Sequence, residues 1–344
     1  MIPWQLFFLA PDKLDDTIGK INEKRKAKFD KKLLASRDNT SEGGVSLRIA
    51  DRLIALQEFA NEFVNTDNAF CGALKNLHRD KWAKFIIDYF EIDTSILSSG
   101  NKGKTLDKLI TRIEAKDIRI ARGVLDNNNM LLPVAKTVRQ VYRKSSGFVV
   151  KDDKVPYIFL PNELNDFETA GRQILTLFVL LILIGNDQYD LALSGELELF
   201  INGQKKLQQA FGVATEILLP FSVTRQYDGT NITAGIVDEL SGKYMLTPSA
   251  IIVTLRQRGL VTTDAQKQKL LDDIKIASST GETKTPKRAA NIDNAVKKWC
   301  GTATTADIVR AIDAKSLGSI RAQYLIFGRV DKLRFARFKA KVGV

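Results

Sequence analysis

The chain has 344 residues, of which 44% are hydrophobic, so it can bury more than one core and is not a disordered protein. Its formal net charge is +12, and residues 261–344 hold 17 Lys and Arg against 8 Asp and Glu, which favours an anionic partner. One histidine and two distant cysteines argue against a histidine pair in catalysis, a structural zinc cluster and a disulfide framework.

Apolar residues recur at helical spacing through much of the first hundred residues. The pattern predicts a helix over 47–64, with Leu53, Leu56 and Phe59 on one face, and another helix from Trp82. The single histidine, His78, has no ligand-type neighbours, and we expect a structural or surface role for it. A polar stretch with glycines at 98–104 then ends a helical N-terminal region over 1–100.

The next segment combines strands and helices. A helix is predicted over 105–116 and strands over 118–124, 147–151 and 156–161, the last two joined as a hairpin. An apolar helix over 171–185 follows. Its apolar run of 11 residues is about half of what a bilayer span requires, so we expect a buried central helix, no membrane segment and a cytoplasmic protein.

Further helices are predicted over 205–219, 231–244 and 248–258, which completes a central domain over 101–262. The last two are joined by a tight turn, and the second carries Arg256 and Arg258. This pair is either a DNA-reading helix-turn-helix or a packing hairpin. The predicted fold class is α+β, predominantly α-helical, with a small three-stranded sheet packed on helices.

Residues 263–285 are predicted to be a linker, and 286–344 a basic helical C-terminal domain. Aromatic residues such as Trp299 and Phe335 lie among its basic residues. This mixture suits base stacking on nucleic acid, and it equally suits a small helical core with lysines that reach solvent. The candidate nucleic-acid-binding residues are Lys287, Arg288, Lys297, Lys298, Arg334, Arg337, Lys339 and Lys341.

A family resemblance adds to this interpretation. The strand hairpin, the Gly-Arg-Gln-Ile-Leu-Thr-Leu-Phe helix from Gly171 and the Phe-Gly-Val-Ala-Thr-Glu-Ile-Leu-Leu-Pro segment from Phe211 follow in order. Together with the helix pair that ends near residue 262, they resemble the ImmA/IrrE family over roughly 105–262. Members are zinc metallopeptidases of bacteria and mobile elements that inactivate DNA-binding repressors. The resemblance implies a zincin-like central domain.

The family's central helix bears His-Glu-x-x-His, in which the histidines bind zinc and the glutamate activates water. By the resemblance, the histidine positions fall on Val179 and Leu183, and the glutamate position falls on Leu180. The third ligand would lie within 207–210, Leu-Gln-Gln-Ala, where no acidic residue stands. Aliphatic side chains offer zinc no lone pair or charge, so we expect no enzyme activity, no metal and no cofactor.

Two functions remain open. The first is a catalytically inactive, ImmA/IrrE-like regulatory or interaction protein of a phage or mobile element, which binds a partner protein, nucleic acid or both. The alternative is a nucleic-acid-binding protein that acts through its basic C-terminal domain, with the central domain as scaffold.

Overall fold

The computed structural model describes residues 43–123, 145–161, 170–188, 193–194, 205–227, 229–279 and 292–344. The first half of this part contains α1 (Gly43–Ala60), α2 (Trp82–Tyr89), α3 (Lys102–Glu114), β1 (Arg119–Gly123), β2 (Ser145–Val150), β3 (Tyr157–Pro161), α4 (Ala170–Gly185) and the two-residue β4 (Leu193–Ser194). The second half contains α5 (Lys205–Leu218), α6 (Phe221–Thr224), α7 (Ala234–Lys243), α8 (Pro248–Gln257), α9 (Asp264–Ser279), α10 (Ile292–Cys300), α11 (Thr302–Asp313), α12 (Ser319–Phe327) and α13 (Lys332–Val342).

The predicted fold class, α+β and predominantly α-helical with a small sheet, is confirmed. The strand order is β1-β3-β2-β4. β2 and β3 form the predicted antiparallel hairpin, with Val149 opposite Ile158. β1 pairs with β3 in parallel, with Ile120 opposite Ile158. The sheet is therefore mixed, and β3 is its central long strand.

The long strands carry apolar side chains on both faces of the sheet. In β3, Ile158 and Leu160 point into one hydrophobic core, whereas Tyr157 and Phe159 point into another. Because successive strand residues face opposite sides, this alternation means that helices must cover both faces. The sheet is the middle layer of three.

Helix α4 covers the first face. Its residues from Gln173 to Gly185 are all buried, as expected for a helix without a polar side. It contacts β2 and β3 on one side and α3 and α5 on the others, so it lies at the centre of the first core. None of the described helices is both long enough and apolar enough to cross a bilayer.

The second face is covered by helices from both ends of the described chain. α10 packs against β1, α1 packs against β2, and both share one core with α11, α12 and α13. Trp299 of α10 is the largest side chain in this core. The predicted domain boundaries stay a prediction, but residues of 1–100, 101–262 and 286–344 form this core together.

Within the predicted linker over 263–285, Asp264–Ser279 forms helix α9. Leu270 is buried, and Leu271 and Ile274 pack on the first core, so the helix has an apolar side that stabilises it. Residues 280–291, which include the rest of the predicted linker, lie outside the described residues.

We predict that Gly123→Ala destabilises the protein, because a Cβ on Gly123 would lie 2.1 Å from Cε3 of Trp299. Overpacking of this kind typically costs about 1–3 kcal/mol in the free energy of unfolding, which chemical denaturation measures. The matched control is Gly103→Ala on α3, where a Cβ would meet nothing within 4 Å. Equal stability of the two variants would contradict the close packing of α10 on β1.

Candidate functional site

The three positions to which the resemblance assigns the zinc ligands and the catalytic glutamate lie inside the first core. Val179 and Leu180 have no exposed surface, and Leu183 has 1%. Leu180 packs directly against β2, since its Cδ1 lies 3.3 Å from the place where a Cβ on Gly147 would be. A substrate or water therefore has no path to these side chains in this packing.

The segment that would supply a third zinc ligand has two sides. Leu207 and Ala210 are buried in the first core, whereas Gln208 is exposed and Gln209 is half-buried. Within the described residues, no three His, Cys, Asp or Glu side chains come together as a possible metal site. His78 lies on the surface with 83% of its side chain exposed, and its Nδ1 is 2.5 Å from a carboxylate oxygen of Asp80.

The described nucleic-acid-binding candidates lie on two helices that contact each other, α10 and α13. Lys297 and Lys298 are exposed in the last turn of α10. On α13, the five basic residues have no acidic neighbour within the helix. Of the candidates named above, Lys287 and Arg288 lie outside the described residues.

Helix α13 places a row of charges beside its buried side. Its buried residues are Phe335 and Phe338. Arg334, Arg337 and Lys341 have the spacing i, i+3, i+7, which places them along one flank of that buried side. Such a row can follow a run of phosphates.

Most of these cations have no acidic partner. Lys297, Lys298, Arg337, Lys339 and Lys341 form no ion pair with any described residue. Arg334 differs, because its Nε lies 3.7 Å from the Asp331 carboxylate. The Asp331 side chain also accepts a hydrogen bond from the Arg334 backbone N–H and thereby caps the N-terminus of α13. That backbone hydrogen bond is the largest cause that holds the pKa of Asp331 below its ordinary value, and Arg329 and Arg334 add to it.

Four of the five aromatic residues in 286–344 do not offer stacking surfaces, and the fifth, Tyr324, is half-buried. Trp299, Phe327, Phe335 and Phe338 are all at least 94% buried in the second core. The predicted alternative of an ordinary helical core therefore accounts for them. The cations that α10 and α13 expose suit contact with a phosphate backbone rather than with bases.

The two arginines of the possible helix-turn-helix are engaged within the protein. Arg256 pairs with Asp264 at the start of α9. Arg258 donates to the carbonyl of Leu219 at 2.6 Å and pairs with Glu216 at 3.1 Å, and only 10% of its side chain is exposed. These contacts favour the packing-hairpin interpretation of α7 and α8.

A buried carboxylate joins the start of α11 to β1. Glu114, the last residue of α3, accepts hydrogen bonds from the backbone N–H groups of Ile120, Thr302 and Ala303. It thereby caps the N-terminus of α11, whose own N-cap residue, Gly301, has no side chain. Burial raises the pKa of Glu114 to about 7, although the three backbone hydrogen bonds act in the opposite direction.

Two further contacts reinforce this connection. The Tyr157 hydroxyl of β3 donates to the carbonyl of Cys300 at 3.0 Å and contacts Thr304 Oγ1. Arg119 of β1 forms a buried ion pair with Asp307 of α11 at 3.5 Å. We call Glu114, Arg119, Tyr157, Thr304 and Asp307 the sheet–helix junction. It ties α10 and α11 to strands β1 and β3.

The other buried charge near the junction is Arg52 of α1. Its guanidinium donates to the carbonyls of Leu325 and Ile326 and lies 4.6 Å above the Trp299 ring. Desolvation lowers the pKa of Arg52 to about 9. Desolvation also raises the pKa of Cys300 to about 11, so this thiol stays protonated at neutral pH and is a poor nucleophile.

Sequence reasoning missed the sheet–helix junction entirely. Glu114 and Asp307 each read as one more charged residue on an amphipathic helix, and about 190 residues separate the carboxylate from the helix that it caps. One local signal existed, since α11 begins after a glycine where a serine, threonine or aspartate is usual.

We predict that Glu114 makes stability fall as pH rises from about 4.5 to about 7. Its pKa is higher in the folded than in the unfolded chain, so the folded state binds more protons in this window, and the loss is about 3 kcal/mol at most. Glu114→Gln cannot ionise, so its urea unfolding free energy should lack this part of the slope. Identical slopes for wild type and variant would contradict the prediction.

A second prediction concerns the peptidase-like positions. The triple change Val179→His, Leu180→Glu and Leu183→His should bind no stoichiometric zinc, because the third ligand is missing and the site is sealed. It should also melt at a lower temperature, because each unpaired buried polar group costs about 2–7 kcal/mol. The apolar control Val179→Ile, Leu180→Met and Leu183→Met should keep its fold. A folded triple variant that holds one zinc ion and cleaves a protein substrate would show that the third ligand was misplaced.

Comparison of the chain with protein-family models, with curated proteins and with solved structures gives no match in any of the three. The ImmA/IrrE resemblance therefore rests only on the residues quoted above.

Proposed function

We propose that this chain is a catalytically inactive, ImmA/IrrE-like interaction protein of a phage or mobile element that binds nucleic acid through α10 and α13. The observation that carries this proposal is the set of exposed cations on two adjacent helices without acidic partners among the described residues: Lys297, Lys298, Arg337 and Lys341. The absent zinc ligands and the sealed core at Val179, Leu180 and Leu183 support a role without peptidase chemistry.

The proposed binding surface is held in place by the body of the protein. α10 packs on β1, and the sheet–helix junction fixes the start of α11. A rigid cationic surface loses little conformational entropy when it meets phosphates, which favours binding. Ordinary dipole stabilisation explains much of the charge, because Lys339 and Lys341 lie in the last turn of α13, and Lys297 and Lys298 lie in the last turn of α10. It does not explain Arg337 in the middle of the helix.

A partner protein is the second candidate, and a specific observation favours it. Three of the large hydrophobic side chains that are most exposed to solvent belong to this same region: Ile320 at 60%, Val330 at 43% and Leu333 at 69%. Exposed apolar side chains beside a charged surface are common in protein interfaces. The central part then serves as a scaffold for either partner.

We predict that the variant Lys297→Ala, Lys298→Ala, Arg337→Ala and Lys341→Ala binds duplex DNA at least about tenfold more weakly than wild type at low salt. The slope of log affinity against log salt concentration should fall by about 0.9 for each phosphate that the variant no longer neutralises. Fluorescence anisotropy with a labelled duplex measures both quantities.

The matched control removes four exposed lysines elsewhere: Lys81, Lys84, Lys104 and Lys269. Both variants lose the same charge, so only a localised surface distinguishes them. If the control binds as weakly as the first variant, net charge and not this surface causes binding. If wild type does not bind DNA or RNA, the proposal is wrong. Deletion of 280–344 is a poorer test, because it removes half of the second core.

A further inference from the structure

A polar cleft of about 480 Å³ lies along the outer side of α5, and none of its lining residues belongs to α10 or α13. Its floor consists of α5 residues at one helical face, from Lys205 through Gln208, Gln209 and Gly212 to Thr215. The opposite side of α5 is buried in the first core. The cleft is open to solvent, and its volume lies within the range of about 300–1,000 Å³ that is usual for small-molecule sites.

The cleft carries uncompensated positive charge. Its one carboxylate, Glu216, already pairs with Arg258 at 3.1 Å. The other two cations, Arg79 and Lys205, have no ion pair or hydrogen bond with any described residue. An anion is the ligand that this balance favours.

A glycine makes room for one of these cations. A Cβ on Gly212 would lie 2.8 Å from Nη2 of Arg79, so the guanidinium lies directly against the α5 backbone. Glycine inside a helix costs about 1 kcal/mol relative to alanine. Gly212 therefore places Arg79 at the cleft floor at some cost in helix stability. A planar guanidinium is well suited to bind two phosphate oxygens at once.

The rest of the lining is polar but uncharged. The amides of Gln208, Gln209 and Gln257 border the cleft, and so does the Phe221 ring, over which the guanidinium groups of Arg225 and Arg258 lie. Amides both donate and accept hydrogen bonds, which is what recognition of a base edge requires. The lining thus combines a cationic part with a part suited to a polar heterocycle.

We propose that this cleft binds a nucleoside phosphate, with Arg79 and Lys205 on the phosphate and the glutamine amides on the base. This site is independent of the nucleic-acid surface on α10 and α13.

Calorimetric titration of the full chain with each of the four ribonucleoside monophosphates tests the proposal. At least one should bind, and the same nucleoside without phosphate should bind at least about tenfold more weakly. Arg79→Ala with Lys205→Ala should weaken binding by a similar factor. The control, Lys84→Ala with Lys269→Ala, removes the same charge from the surface and should bind as wild type does.

Gly212→Ala gives a second test in which the fold is not at risk. It should crowd the Arg79 guanidinium and weaken nucleotide binding, while the melting temperature stays the same or rises. The proposal is overturned if no monophosphate binds, if the nucleoside binds as well as its phosphate, or if the Arg79 and Lys205 variant binds as the control does.

Discussion

Both faces of the sheet are apolar, so exposure of either face to solvent would be unfavourable. Ile158 and Leu160 point to one side of β3, and Tyr157 and Phe159 point to the other. At about 25 cal/mol per Å² of apolar surface, leaving either side exposed would cost several kcal/mol. The apolar helix α4 meets this requirement on one face. On the other face, α1 and the C-terminal helices meet it together.

This constraint determines which residues of the basic C-terminal region are buried. Most of its aromatic residues complete a core that begins on the sheet, and many of its basic residues lie at the surface. The sheet–helix junction adds direction to the packing, because Glu114, Tyr157 and Arg119 each contact a defined group on α10 or α11. The cationic surface is thus positioned by the fold. The cleft lies on α5, which packs against α4 in the first core.

Much of the local structure could be predicted from the sequence. The hydrophobic run of α4, the hairpin of β2 and β3 and the extent of α5 follow from patterns within about 5 to 15 residues. The parallel pairing of β1 with β3, the cap that Glu114 provides and the approach of Arg79 to Gly212 could not, because each joins segments distant in sequence. The apolar run Tyr-Ile-Phe-Leu at 157–160 indicates a strand that is buried on both faces. The run alone does not reveal which segments of the chain pack against those faces.

Native-state hydrogen exchange, followed by mass spectrometry, tests most directly whether α10 and α11 belong to the same cooperative unit as the sheet. The account predicts that the amides of α10 and α11 exchange with the same opening free energy as those of β1 and β3. It also predicts that Gly123→Ala lowers both together. Exchange of 292–344 through a separate opening, with the strands still protected, would contradict it.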